Sequence, residues 1–245
     1  MYNYKLMLQY DGGRYRGWQR LGNEESTIQG KLEQVLSQLL GQETKLTGCS
    51  RTDAGVHALA QVSNFVTDKS LDPEEIKAYF NHYLPKDISV IAVAEASENF
   101  HARYHAKRKT YLYKIWNKDY SNPFLRKYSM HVSDRLNVEA MKAAGSYFTG
   151  SHDFTAFSNA KSRKKSMIRE IYSVDIKEED GFIQIRLTGN GFLYNMARWI
   201  VGTLIEVGLG RMAAKEIPAI FEAGIRGGSG NLADACGLYL EKVEY

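Results

Sequence analysis

The sequence predicts an α+β protein made of two similar β-α-β-β-α-β halves, with mostly antiparallel sheets joined around a central cleft. Three observations predict it. Strand-like alternation and helix-like periodicity take turns along all 245 residues, the order of elements in the first half recurs in the second, and no stretch has the composition of a linker or low-complexity tail. Hydrophobic residues make up 44% of the chain, with only four prolines, so each half can bury a core and neither reads as disordered. The halves are taken as residues 1–105 and 106–245.

Each element has its own signal. Tyr4, Leu6, Leu8 and Tyr10 alternate, as in a half-buried strand. Residues 26–29 have capping-box spacing, Ile28, Leu32, Val35, Leu36 and Leu39 share one helical face, and Gly41 stands just past the end. Strands are expected at 45–49 and 62–67. Asp72 then caps a second helix with Pro73 in its first turn, running to about Leu84, and 88–93 is the next strand. The second half is expected to hold a strand at 110–117, a helix at 138–148, and strands at 168–177 and 182–188 joined by Asp180-Gly181. A helix at 192–207, a shorter one at 213–223 and a closing strand near 238–243 complete it.

Charge separates the halves: the net +4 divides into −2 for residues 1–105 and +6 for residues 106–245. Two runs contain no acid. One holds Arg103, Lys107, Arg108, Lys109 and Lys114; the other holds Lys161, Arg163, Lys164, Lys165 and Arg169. A single basic run is commonly a solvated face. The first, however, is interleaved with Tyr104, His105, Tyr111 and Tyr113 and preceded by His101, and cations beside stackable rings suit looped or single-stranded RNA. Cys49 and Cys236 are too few for a disulfide framework, no signal-peptide pattern opens the chain, and the longest apolar stretch, 192–207, is too short and too polar to span a membrane. A cytoplasmic protein is expected.

Asp53 is the only acid between Glu43 and Asp68. It stands in Arg51-Thr52-Asp53-Ala54-Gly55-Val56-His57, on a connection between two expected strands, where a rigid sheet can present a carboxylate to a substrate. The plain alternative is an Asp that closes a turn with Gly55. Arg198, within an apolar helix, is either buried against a carboxylate or snorkels to the surface. Gly12-Gly13 and Gly227-Gly228 lack the spacing of nucleotide-binding loops, His101 and His105 have no third ligand nearby, and there is no G-x-S-x-G element. Neither a metal nor an acyl-transfer site is expected.

The motifs Tyr10-Asp11-Gly12, Arg16-Gly17-Trp18-Gln19-Arg20, Arg51-Thr52-Asp53-Ala54-Gly55-Val56-His57-Ala58, Phe100-His101-Ala102-Arg103, Tyr111-Leu112-Tyr113, residues 150–154, Gly191-Phe192-Leu193-Tyr194-Asn195-Met196-Ala197-Arg198 and Gly237-Leu238-Tyr239-Leu240 together resemble the successive motifs of the tRNA pseudouridine synthase A family. The resemblance runs essentially end to end. It implies the pseudouridine synthase fold, a homodimer, and isomerisation of uridine in the anticodon stem and loop of tRNA without a cofactor. It implies that Asp53 is catalytic, that Arg51 assists flipping of the uridine, that Tyr111 contacts the base, that Arg198 pairs with the carboxylate and that Leu238 borders the substrate. RNA-binding residues are then Arg51, Phe100, His101, Arg103, Tyr104, Lys107, Arg108, Lys109, Arg163, Lys164, Lys165 and Arg169. The chain departs from the family at Ser50, where Gly is usual, and at Ala233-Asp234-Ala235-Cys236, where a Pro is frequent.

The implied chemistry suits these residues. The bond from N1 to C1′ must break, the base turn, C5 join C1′ and the C5 proton leave, so atoms are conserved and no redox group is required. A carboxylate can attack covalently or take a sugar proton to give a glycal, and both routes stay open. Extruding the base costs roughly a few kcal/mol, which a guanidinium filling the gap offsets in part. Two other readings compete: an RNA-binding paralogue without catalysis, acting as an RNA chaperone, against which intact Asp53, Arg51, Tyr111 and Arg198 stand, and a glycosidase, which normally needs two carboxylates.

Overall fold

The computed structural model describes residues 1–22, 26–159, 166–225 and 229–245. In chain order the strands and helices are β1 (Tyr2–Tyr10), α1 (Ile28–Leu40), β2 (Thr47–Gly48), β3 (His57–Thr67), α2 (Pro73–Tyr83), β4 (Ile88–Ala96), β5 (Arg108–Trp116), β6 (Met130–His131), α3 (Val138–Ser146), β7 (Gly150–Asp153), β8 (Ile168–Glu179), β9 (Phe182–Gly189), α4 (Met196–Gly208), α5 (Ile217–Ala223) and β10 (Leu238–Glu244). They group into two compact units, residues 1–107 with 239–245, and residues 108–238. The last seven residues, read from sequence as part of the second half, belong to the first unit.

In the first unit β3 is the central strand. It pairs antiparallel with β1, from Tyr2 opposite Thr67 to Tyr10 opposite Ala58, and β1 pairs antiparallel with β4. On its other side β3 meets β10 in parallel at His57 and Ala58, and β2 at Ser63 and Asn64. Most of β3 is buried, and Gln61, Ser63 and Asn64 lie among its buried residues. Tyr4, Leu6, Leu8 and Tyr10 of β1 are buried with Ile28, Leu32 and Leu36 of α1 and Ile76 and Phe80 of α2.

The second unit is an antiparallel run β5-β9-β8-β7, with β6 pairing in parallel with the end of β5 at Ile115 and Trp116. Asp180 and Gly181, both with positive φ, form the two-residue turn between β8 and β9, as their dipeptide predicts. Helix α3 packs on β8 and α4. An aromatic cluster of Phe148, Phe154, Phe157 and Phe221 fills the space beneath, with centroids as close as 4.7 Å. Both units are α+β with mostly antiparallel pairing, as expected. No helix among the described residues is long and apolar enough to cross a membrane.

Several boundaries differ from expectation, each for a local reason. Helix α1 is capped by Thr27, whose hydroxyl accepts from Gly30 N, one residue later than the capping-box spacing suggests. The strand expected at 45–49 pairs only at Thr47–Gly48, while β3 starts at His57, five residues early. Helix α4 starts at Met196 rather than 192 because Asn195 adopts the left-handed conformation (φ 61°), which interrupts a helical path. The helix expected at 213–223 splits into a 3₁₀ turn, Ala214–Glu216, and the short α5, where Pro218 has no N–H to continue the ladder back into the turn. Strands β6 and β7 were not anticipated.

Candidate active site

Arg51, Thr52 and Asp53 lie on the connection between β2 and β3, as their position in the sequence predicts. Burial alternates along it: Arg51 is exposed, Thr52 buried and Asp53 half-buried. Successive side chains of an extended peptide point to opposite sides, so Arg51 and Asp53 share the outward side while Thr52 turns to the core.

The core side of this loop is tied down by buried polar groups. Gln61, fully buried in β3, grips the backbone of Ser50 at both ends: its Nε2 donates to Ser50 O (2.7 Å) and its Oε1 accepts from Ser50 N (3.3 Å). The same Nε2 reaches the Tyr10 hydroxyl (3.4 Å), which shares a 2.8 Å hydrogen bond with Thr52 Oγ1. Trp18 N donates to Thr52 O (3.0 Å), and Val56 N to Asp53 O (3.1 Å).

Glycines explain why the motifs at 10–12 and 16–20 accompany this loop. A Cβ on Gly12 would lie 1.9 Å from Val56 O, and one on Gly17, which has φ +96°, would lie 2.7 Å from Thr52 O. Both approaches are closed to any other residue. The chain after β1 therefore wraps directly against the acid-bearing loop, and Trp18 fills the space over Gly48.

A second loop of the same unit carries Phe100, His101, Arg103 and Tyr104. Asn3 Nδ2 donates to Ser97 O (3.0 Å) and Phe100 O (2.9 Å), Asn64 Oδ1 accepts from Ala102 N (2.9 Å), and the Tyr245 hydroxyl donates to Ala102 O (2.8 Å). Phe100 packs inward against Tyr245, near the buried cluster of Cys49, Val62 and Ala102. Outward, the His101 and Tyr104 rings stack at 4.2 Å, with Tyr104 76% exposed. Partial burial and then the charge of Arg103 push the Arg51 guanidinium below its usual ionisation, with Tyr104 opposing. Those two effects bring Arg51, Arg103 and Tyr104 into one electrostatic neighbourhood.

The remaining candidates lie in the second unit. Tyr111 is buried in β5 opposite Leu187, its ring edge-on to Phe192 at 4.8 Å. Leu238 is buried at the start of β10. Arg198, in the first turn of α4, is half-buried. Its Nε donates to Ala233 O (2.7 Å), its Nη1 to Asn195 Oδ1 (3.2 Å), and its own carbonyl accepts from Ala233 N (3.3 Å). Asn195, at positive φ, thus both ends the loop and braces the arginine.

Among the basic residues, Lys107 and Arg108 are exposed and Lys109 is half-buried; the Arg108 guanidinium lies 4.9 Å over the Tyr172 ring. Arg169, at the start of β8, folds back on the chain beside it, donating from Nη1 to Ser166 O (2.9 Å) and Ile168 O (2.5 Å). Lys161, Arg163, Lys164 and Lys165 lie outside the described residues. Sequence reading passed over Gln61, Asn3 and Asn64. The available signal was a polar side chain inside a strand that is apolar around it, because such a group must find a partner when buried.

Similarity to known proteins bears on what this arrangement does. The profile of the family described as tRNA pseudouridine synthase matches residues 6–105 and 144–245. The chain is 62% identical over 245 residues to tRNA pseudouridine synthase A 2 of Bacillus anthracis, covering 100% of both chains. It is 56% identical to tRNA pseudouridine synthase A of Bacillus sp. (strain KSM-64) and 44% identical to that of Acetivibrio thermocellus, again over 100% of both chains.

Proposed function

We propose that this chain, which belongs to the tRNA pseudouridine synthase family, uses Asp53 as its catalytic carboxylate and Arg51 to hold open the stack from which the uridine is taken. Its activity is isomerisation of uridine to pseudouridine in tRNA. The residue assignment is carried by one observation: in the loop of residues 50–53 the backbone of Ser50 and the buried Thr52 are clamped by buried polar groups, and Arg51 and Asp53 are directed outward. A carboxylate that must meet one carbon of a flipped nucleotide needs that fixity, because misplacement by about 1 Å can cost about 100-fold in rate.

In the reaction the N1–C1′ bond breaks, the uracil turns, C5 bonds to C1′, N1 gains a proton and C5 loses one. Asp53 either attacks covalently or removes a sugar proton. Tyr111 presents a ring to the base and a hydroxyl for the proton leaving C5. Arg198 supplies the counter-charge that keeps the catalytic carboxylate ionised. His101, Arg103, Tyr104, Lys107, Arg108 and Lys109 bind the RNA around the target, cations to phosphate and rings to unstacked bases. The target is the anticodon stem and loop, the enzyme works in the cytoplasm where tRNA is found, and it acts as a homodimer.

Mapping pseudouridine nucleotide by nucleotide in unmodified tRNA, with the natural chain and with Asp53→Asn, tests this reading. New pseudouridine confined to the anticodon arm, and none with the variant, is the expected result. Modification elsewhere would replace the assigned target, and an active Asp53→Asn enzyme would remove Asp53 from the reaction.

A further inference from the structure

We propose that Tyr10 is a positioning residue for catalysis: its buried hydroxyl links Gln61 to Thr52 and so sets where Arg51 and Asp53 point. This rests on the reading of Asp53 as the catalytic carboxylate.

Tyr10 ends β1, and its ring packs in the core 6.2 Å from that of Trp18. A phenylalanine would fill this space equally well without burying a hydroxyl, so the oxygen calls for a reason. Burial raises the phenol above its ordinary ionisation range, against the opposing bonds to Thr52 and Gln61, and the hydroxyl stays protonated wherever the enzyme works.

The polarity of the chain of bonds follows from the groups. A carboxamide N–H can only donate, so Gln61 Nε2 gives one hydrogen to Ser50 O and the other to Tyr10 Oη. The phenol proton is then left for Thr52 Oγ1. Ser50 is held at its N–H and its carbonyl; Thr52 is held at its hydroxyl by Tyr10 and at its carbonyl by Trp18. Arg51 is suspended between two fixed residues, and Asp53 follows directly.

The Tyr10 to Thr52 bond reaches the loop through a side chain of the loop itself, whereas the bonds from Gln61 to Ser50 and from Trp18 to Thr52 O grip backbone and would survive a change of residue at position 52. Losing it removes the tie on the Thr52 side chain while the backbone ties on Ser50 and Thr52 remain, so the loop is held less closely. The cost should therefore fall on the chemical step and spare affinity for RNA, which the exposed cations supply.

The experiment measures single-turnover rate, kcat and KM on unmodified tRNA for Tyr10→Phe, Thr52→Val, the double variant, Thr52→Ser and Asp53→Asn, with thermal melting of each. Tyr10→Phe and Thr52→Val should each lower the rate about 10- to 100-fold with KM changed less than about twofold. The double variant should be no slower than the slower single one, because both remove the same bond. Thr52→Ser, which restores the hydroxyl, should recover most of the rate lost in Thr52→Val. Should Tyr10→Phe melt below the assay temperature, Thr52→Val breaks the bond from the loop side and carries the same expectation. A natural rate in either single variant, multiplicative losses in the double one, or a change confined to KM would overturn the proposal. Asp53→Asn separates the two ideas: if it is active the catalytic reading fails, and if it is dead while Tyr10→Phe is fully active only the positioning role fails.

Discussion

The loop carrying Arg51 and Asp53 and the segment carrying Lys107 and Arg108 are both short and charged, yet they are held in opposite ways. Residues 50–53 are fixed from beneath by Gln61, Tyr10 and Trp18, with the charged side chains projecting from a pinned backbone. Lys107 N donates to Glu244 O, its side chain is exposed, and the exposed Arg108 rests its guanidinium over the Tyr172 ring. The first arrangement spends buried polar groups on geometry. The second leaves long cations adaptable, which suits phosphates whose positions vary from one RNA to another. Chemistry should therefore fail when the loop is changed, and affinity when the cations are.

Asp53→Asn is the sharpest way to break that division. It keeps shape and removes charge, so turnover should fall by about 1000-fold or more while tRNA affinity stays within a few fold, read from single-turnover kinetics beside a binding titration. Comparable losses in rate and affinity would mean that the loop binds as much as it reacts.

Arg198 extends the comparison to the second unit, because it too is braced, by Ala233 and Asn195. By the same criterion it is expected to act with the chemistry. Arg198→Met should slow turnover by about 100-fold, and, by leaving the Ala233 carbonyl without its donor, should cost about 1 to 3 kcal/mol of stability in a denaturant titration. A variant that is less stable but turns over normally would make Arg198 a brace for the segment at 233 and nothing more.

Arg51→Lys tests which property of the exposed arginine matters. The positive charge is retained, so affinity and its salt dependence should barely move, whereas loss of the planar group should lower the single-turnover rate about 10-fold. If instead the salt dependence changes and the rate does not, Arg51 belongs with the phosphate-binding cations.

The smallest effect is expected at those cations. Replacing Lys107 and Arg108 by Gln should weaken binding to every tRNA alike and lower the slope of log affinity against log salt by roughly 0.7 to 0.9 per lost phosphate contact, with the single-turnover rate at saturation unchanged. An unchanged slope would show that these two side chains do not meet phosphate.

Much of the fold was legible because its signals are local. The alternation in β1, the Asp72-Pro73 start of α2, Gly41 after α1 and the Asp180-Gly181 turn each depend on a few neighbouring residues, and each stands where expected. The start of α4 was misplaced because apolar periodicity runs back through Phe192 and Leu193, and only the left-handed Asn195 reveals that the helix has not begun. The early start of β3 was hidden for a different cause: His57 is polar, and its burial depends on the stacked ring of Tyr239, far along the chain.

The sequence alone determined the α+β class, the order of most elements, the place of Asp53 on a connection between strands and the resemblance that the matching family bears out. These follow from residue type and spacing, which act over a few residues or persist as motifs. Only the tertiary structure decided what holds Asp53's loop, which unit the last strand joins and what braces Arg198. Gln61 reaches Ser50 across 11 positions, Tyr10 reaches Thr52 across 42, and Arg198 reaches Ala233 across 35. A buried donor must find an acceptor, but which one it finds depends on strand pairing and packing that no local pattern encodes.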